Sequence, residues 1–265
     1  MPLIELLLLA VLQGLTEFLP VSSSGHLNIA AALFATGGAP RNFDQLEVNV
    51  FLHVGTLISV LVFYWQKIWR LLFQDRRVIP LLVVGTLPAV AVGLPLKKYA
   101  GETLESPLVA GLMLPVTGLI LLALPLLPVR KGRYRKLTFL QTLMIGCAQA
   151  FAILPGISRS GATITVGVAA GLKPRDAATF SFLLAIPAIL GGGVLEAVDL
   201  VKNGGGETPV GFLFLAALVA ALVGYFALAI VVRALERAQL HRFAWWCIPV
   251  GLAVTAWQAA GLWSV

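Results

Sequence analysis

The chain has 265 residues, is 59% hydrophobic and only 12% charged, and has a mean hydropathy of +0.93. Soluble domains carry about twice that charged fraction, so an integral membrane protein is expected and a soluble fold is excluded. The net charge of +7 is not a nucleic-acid footprint, because the basic residues are spread through short loops between apolar runs.

The opening Met1-Pro2-Leu3-Ile4-Glu5 has no basic n-region, and no small-residue cleavage site follows, so no cleavable leader is expected. Residues 3–15 are apolar but shorter than the roughly 20 residues that a span needs. They end at Pro20 and the turn Ser22-Ser23-Ser24-Gly25-His26, and a second short apolar run, 26–36, follows. Two short apolar helices around a polar turn predict a re-entrant hairpin over about 3–36. Polar backbone at that depth must be buried in protein or line a wet cavity. After a polar loop at 36–47 that holds Arg41, full spans are predicted at about 48–66, 77–96 and 107–127. The run 138–154, the break at Pro155-Gly156 and the run 161–172 predict a second broken hairpin over about 138–172. Three more spans are predicted at about 177–199, 209–233 and 243–263.

The expected fold is an all-α polytopic membrane protein with six transmembrane helices plus two broken re-entrant helix hairpins related as an inverted repeat. It forms one domain, 1–265, with halves of about 1–130 and 131–265. Cys147 and Cys247 lie in apolar runs and read as small buried hydrophobes. Pro88 and Pro187 are expected to kink their spans, and Trp245, Trp246, Trp257 and Trp263 to form interfacial belts.

If each hairpin returns to the side it entered from, 14 of the 19 basic residues fall in the loops of one side, at 67–77, 128–137, 173–175 and 233–242. The other side gets Arg41, Lys97, Lys98 and Lys202. This asymmetry marks the first side as cytoplasmic. The first hairpin then enters from outside and the second from inside. Gln13 to Ser22 and Gln149 to Ser158 have the same nine-residue spacing, as an inverted repeat would. Such repeats put a site where their broken helices meet.

The second turn, Pro155-Gly156-Ile157-Ser158-Arg159-Ser160-Gly161-Ala162-Thr163, reads as an anion site. Ser158 or Ser160 can cap the helix that follows, whose free N–H groups and dipole attract negative charge. Arg159 supplies bidentate bonds to phosphate oxygens, and Thr163 a further hydroxyl. A charged side chain at bilayer depth costs about 2.5–3.5 kcal/mol or more, so Arg159 implies function. In the first turn, Gln13 and Glu17 share a helical face, and one carboxylate plus one amide suits Mg²⁺ or Ca²⁺ on a phosphate substrate. His26 can serve as base for Ser23, as acid for a leaving group, or as nucleophile. It can also be a buried histidine bonded to a carbonyl, and Glu17 a structural partner of Arg159. Glu47, Asn49 and His53 read as interfacial or cavity-lining, and Glu196 and Asp199 as interface charges. A transporter for an anionic lipid phosphate fits the same architecture, but needs no nucleophile or base.

The stretches Gln13-Gly14-Leu15-Thr16-Glu17-Phe18-Leu19-Pro20-Val21-Ser22-Ser23-Ser24-Gly25-His26 and Pro155 to Thr163 resemble the two signature motifs of the undecaprenyl-diphosphate phosphatase (bacitracin-resistance) family. Phe180-Ser181-Phe182-Leu183-Leu184-Ala185-Ile186-Pro187 resembles a third segment of it. The resemblance implies hydrolysis of undecaprenyl diphosphate to undecaprenyl phosphate and inorganic phosphate. It implies a divalent cation and a plasma-membrane site open to the extracytoplasmic side. It casts Ser23 and His26 as catalytic and Ser158, Arg159 and Thr163 as diphosphate-binding. Joined with the reading of the two turns, the candidate set is Glu17, Ser23, His26 and Arg159 as catalytic and Ser22, Ser158, Arg159, Ser160 and Thr163 as substrate-binding. Glu17 and Gln13 become the metal ligands, with Gln13 at a position where the family has either Glu or Gln. The implied partners are the polyprenyl diphosphate and the bilayer, and a homodimer is compatible with it. Cys247, after Trp246, stands where the family commonly has Arg.

Overall fold

The computed structural model describes residues 2–36, 45–128, 130–202, 204 and 208–261. Arg41 and Trp263 lie outside the described residues, as does the predicted end of the last span. The described chain is helical almost throughout. Helices α1 (Pro2–Phe18) and α2 (Ser23–Thr36) flank the first turn. Then come α3 (Gln45–Phe63), α4 (Trp65–Phe73), α5 (Val78–Tyr99), α6 (Gly101–Glu105) and α7 (Pro107–Ala123). Helices α8 (Phe139–Phe151) and α9 (Arg159–Ala169) flank the second turn, and α10 (Pro174–Lys202), α11 (Val210–Glu236) and α12 (Ala244–Ala259) follow.

Five of these helices are long and apolar enough to cross a membrane: α3, α5, α7 with its 3₁₀ extension, α10 and α11. The described part of α12, where a sixth crossing was predicted, has 16 residues. Residues 67–77, read as a loop, instead contain most of α4. Trp65, Trp69, Leu72 and Phe73 are exposed and only Leu71 is buried. Lys67 and Arg70 make this run too polar for a span, yet it is amphipathic and suits a helix lying in the membrane interface. Cys147, expected to be buried, is exposed beside the outward-facing Leu143, Met144 and Phe151, and Cys247 alone of the two is buried. A lipid-facing surface is as apolar as a core, so composition does not separate the two.

Helix α11 packs against α1 and α3, α12 against α7, α5 against α8, and α10 against α3 and α9. The closest approaches fall at small residues. A Cβ on Gly55 would overlap Ala217, and one on Gly146 would overlap Gly85. Lipid gives no hydrophobic drive between helices, so close packing of this kind supplies the attraction. Beneath the two turns lies the largest cluster of buried side chains, with Phe18, Phe180 and Phe182 fully enclosed. Phe18 meets Phe182 edge-to-face at 6.0 Å. The Phe180–Phe182 segment is therefore core under the turns rather than a lipid-facing wall.

Candidate active site

Proline ends the helix before each turn. Pro20 disfavours helix at Leu19, and α1 stops at Phe18. Pro155 stands between α8 and the second turn, where Gly156 adopts φ +95°. Ser22 has φ 70°, a left-handed conformation that costs a non-glycine residue about 1–3 kcal/mol. Its hydroxyl offsets this by accepting from Gly25 N–H (3.4 Å) and, across the molecule, from Gly156 N–H (3.0 Å). That bond joins the two turns. A Cβ on Gly25 would lie 2.8 Å from Gly156 N, so glycine is required at this contact. Thr117 of α7 completes the second turn: its hydroxyl donates to Gly156 O (2.7 Å) and accepts from Ser158 N–H (2.9 Å).

The N-termini of α2 and α9 are thereby brought to one place. Ser158 caps α9 through Gly161 N–H (3.1 Å), so of the two candidate caps it is Ser158 that serves. Arg159 Nη2 donates to Glu17 Oε1 at 2.9 Å. Glu17 Oε2 accepts from Ser23 Oγ (2.7 Å) and from Gln13 Nε2 (3.1 Å). Two buried polar atoms in this cluster have no hydrogen-bond partner among the described residues, Arg159 Nη1 and Gln13 Oε1. Buried polar atoms are rarely left so, and such exceptions concentrate at working sites.

A cavity of about 270 Å³ opens beside this cluster. Glu17, Ser22, Ser23, Ser24, Ser158 and Arg159 form its polar wall. Ile153, Ala188 and Ile189 give it apolar surface, and Gly192 and Gly193 part of its rim. His53, read from sequence as interfacial or cavity-lining, and Glu196, read as an interface charge, both stand on this cavity. His53 Nδ1–H donates to Asn49 O (2.8 Å) and lies 3.8 Å from Glu196 Oε2. Asp199, in contrast, pairs outside the cavity with Lys97 at 2.6 Å.

Four of the expected site residues stand behind the cavity rather than on it. Gln13 is fully buried next to Glu17. Ser160 Oγ lies 3.2 Å from Ser158 Oγ, and Thr163 Oγ1 2.6 Å from Ser181 Oγ of α10. No side-chain hydrogen bond joins Ser23 to His26 among the described residues. Its Nδ1–H donates to Ser22 O (2.8 Å), because a carbonyl can only accept. Its Nε2 therefore accepts, from Trp246 Nε1–H of α12 at 2.9 Å. Both ring nitrogens are occupied, which fixes a neutral Nδ1–H imidazole. Cys247 Sγ also approaches Pro20 O at 3.7 Å, so α12 holds the first turn at two points. Trp246 was expected in an interfacial belt, and nothing local in the sequence ties it to His26. Trp246→Phe should leave His26 Nε2 buried without a donor, at a cost of about 1–3 kcal/mol. Thermal unfolding should show that loss.

The family model described as bacitracin resistance protein BacA matches residues 6–253. The undecaprenyl-diphosphatase of Rhodopirellula baltica is 51% identical over 253 residues, covering 95% of this chain and 96% of that protein. The undecaprenyl-diphosphatase of Pelotomaculum thermopropionicum is 37% identical, covering 98% of each chain. That of Halothermothrix orenii is 35% identical, covering 96% of this chain and 97% of its own. Both polar turns fall inside the matched region, and the chain belongs to the bacitracin resistance protein BacA family.

Proposed function

We propose that the chain hydrolyses undecaprenyl diphosphate to undecaprenyl phosphate and inorganic phosphate. The activity named for its relatives supports this. It implies recycling of the carrier lipid for peptidoglycan synthesis, and with it bacitracin resistance. One observation carries the chemistry: a serine hydroxyl 2.7 Å from a carboxylate, on a cavity wall that also holds Arg159 and two helix N-termini. A transporter needs the anion site but not the hydroxyl–carboxylate pair, and this favours hydrolysis.

In the proposed mechanism the terminal phosphate takes the free Nη1 of Arg159 and the N–H groups that open α2 and α9. Ser23 Oγ attacks the terminal phosphorus, and Glu17 Oε2 takes its proton. A Ser23–phosphorus bond forms, the anhydride P–O bond breaks, and undecaprenyl phosphate leaves with the proton from Glu17. Water then attacks the phosphoserine and gives its proton to Glu17. The Ser23–phosphorus bond breaks, Ser23 recovers a proton from Glu17, and inorganic phosphate departs. His26, held from both sides, positions the Ser22–Ser24 turn. Charge neutralisation and alignment are most of what phosphoryl transfer requires.

A divalent cation, Mg²⁺ or Ca²⁺, belongs to this proposal. Gln13 Oε1 is a buried acceptor with no partner, beside the Glu17 carboxylate. No group of three or more His, Cys, Asp or Glu able to hold a metal occurs among the described residues. One carboxylate and one amide oxygen still fit a hard cation that completes its shell with water and diphosphate oxygens. When bound, it would neutralise charge on the diphosphate. Chelation should abolish phosphate release by purified protein, and Mg²⁺ or Ca²⁺ should restore it. Full activity in chelator would remove the cation from the proposal.

The proposed topology has six crossings, with α12 as the sixth, and the pairs α1–α2 and α8–α9 as re-entrant hairpins of an inverted repeat. The matched placement of Gln13 and Gln149, each buried on the helix before a turn, supports it. The proposed membrane is the bacterial plasma membrane, with the cavity open to its extracytoplasmic side. The cavity lies toward the end of α10 that carries Glu196, away from the basic loops. Gly192 and Gly193 have no neighbour within 4 Å of an added Cβ, so the rim beside them is open enough for an isoprenoid to enter sideways. Gly193→Leu should therefore leave the unfolding temperature unchanged or higher. It should raise KM for polyprenyl diphosphate several-fold, with less effect on a short water-soluble diphosphate.

The direct test is release of inorganic phosphate from polyprenyl diphosphate by the purified protein. Movement of the lipid across proteoliposomes without release would overturn the proposal.

A further inference from the structure

At the basic end of the bundle a second cavity, of about 190 Å³, is lined from α3, α4, α10 and α11. Tyr64, Gln66, Lys67, Arg175 and Thr179 supply its polar groups. Lys67 is half-buried, donates from Nζ to Thr179 Oγ1 (2.8 Å), and stands 5.2 Å over the Tyr64 ring. Among the described residues no carboxylate pairs with it. Asp176 already accepts from Tyr134 N–H (3.0 Å) and Lys173 Nζ (3.1 Å), and Asp75 from Arg135 (3.0 Å). Arg175 has Glu236 at 3.8 Å from its Nε, too long for a hydrogen bond. Two cations thus share one cavity, Lys67 with no paired carboxylate among the described residues and Arg175 with only this long, exposed ion pair. Burial, and then the charge of Arg175, hold the Lys67 ammonium below the usual lysine range. Arg70 and Arg135 add positive field from the neighbouring elements, and Asp176 opposes it.

The depth of the cavity identifies the ligand. Helix α4 forms one wall and exposes Trp65 and Trp69, and exposed tryptophans on an amphipathic helix mark headgroup level. Basic pockets between transmembrane helices on the cytoplasmic side are where acidic lipid headgroups bind. At about 190 Å³ the space is below the roughly 300 Å³ at which pockets begin to take drug-sized ligands, and suits a single phosphate group. We propose that this cavity binds the phosphate of an anionic phospholipid headgroup between Lys67 and Arg175. This site is separate from the phosphatase cavity and independent of its assignment.

Native mass spectrometry of the purified protein, titrated with phosphatidylglycerol or phosphatidylcholine, tests the proposal. Wild type should retain phosphatidylglycerol preferentially. A Lys67→Met/Arg175→Gln variant should bind it about ten-fold more weakly, and Lys67→Arg should retain it. Phosphate release in detergent should be the same in both variants as in wild type, which shows that they are folded. If the double variant does not fold, Arg175→Gln alone serves, because Arg175 is largely exposed. Inorganic phosphate that displaces phosphatidylglycerol would identify phosphate as the group recognised. Equal retention of the two lipids by wild type, or undiminished phosphatidylglycerol binding by an active double variant, would overturn the proposal. So would binding of inorganic phosphate with none of the lipid.

Discussion

Arg159→Ala is expected to lower phosphate release by about a thousand-fold or more, the effect of removing an arginine that neutralises a transferring phosphoryl group. Arg159 has one nitrogen on Glu17 and another that is buried with no hydrogen-bond partner among the described residues. In the proposed mechanism the first aims the guanidinium and the second meets the substrate. Substitution by alanine also strands a buried carboxylate, which costs about 3–5 kcal/mol of stability in comparable pairs. Thermal unfolding must therefore be read alongside activity. Arg159→Lys separates the two effects, since it keeps a charge near Glu17 but not the planar fork. It should recover most of the stability and little of the rate. Wild-type turnover in folded Arg159→Ala would sink the assignment.

The second large effect concerns the nucleophile. Ser23→Ala should reduce turnover by roughly a thousand-fold or more, as loss of an attacking group does. Stability should change by less than about 1 kcal/mol, because only one partly exposed hydroxyl is removed. Acid quenching of wild type during turnover should trap phosphate on Ser23, and Glu17→Gln should prevent trapping. A nucleophilic His26 predicts the reverse: His26→Gln would abolish trapping, and Ser23→Ala would not. His26 as base for Ser23 predicts loss of trapping in both His26→Gln and Ser23→Ala, with Glu17→Gln retaining it. The geometry argues against both outcomes, since Trp246 occupies the one imidazole nitrogen with a free lone pair.

The sequence carried most of this site because its chemistry is concentrated in two short turns. Serines, an arginine and a proline are costly in an apolar chain, so their presence is itself a signal. Helix pairs broken at Pro20 and at Pro155-Gly156 could be read for the same reason. What was hidden lies in contacts between distant segments. Thr117 is a lone hydroxyl in an apolar run, and only the fold shows it bonded to both sides of the second turn. Trp246 is 220 residues from His26. Glu196 looks like an interface charge until α3 and α10 place it with His53 on one cavity. Helix α4 escaped because a charged interfacial helix and a charged loop have the same composition. Its regularity shows only in how it alternates around the axis.

The hydrogen bond between Ser22 and Gly156 spans 134 residues. It bears on the order in which a growing chain can become an enzyme. Glu17 is made with α1, well before Arg159 has been synthesised, and the helix against which α1 packs most is α11. On the proposed topology an early intermediate therefore carries an acidic side chain without its arginine, and an uncovered helix face, in the bilayer, at a cost of about 2.5–3.5 kcal/mol for the charge alone. On the proposed mechanism catalytic competence arrives late in biogenesis, when the second turn closes on the first, and until then the nascent protein is inert toward the lipid carrier around it.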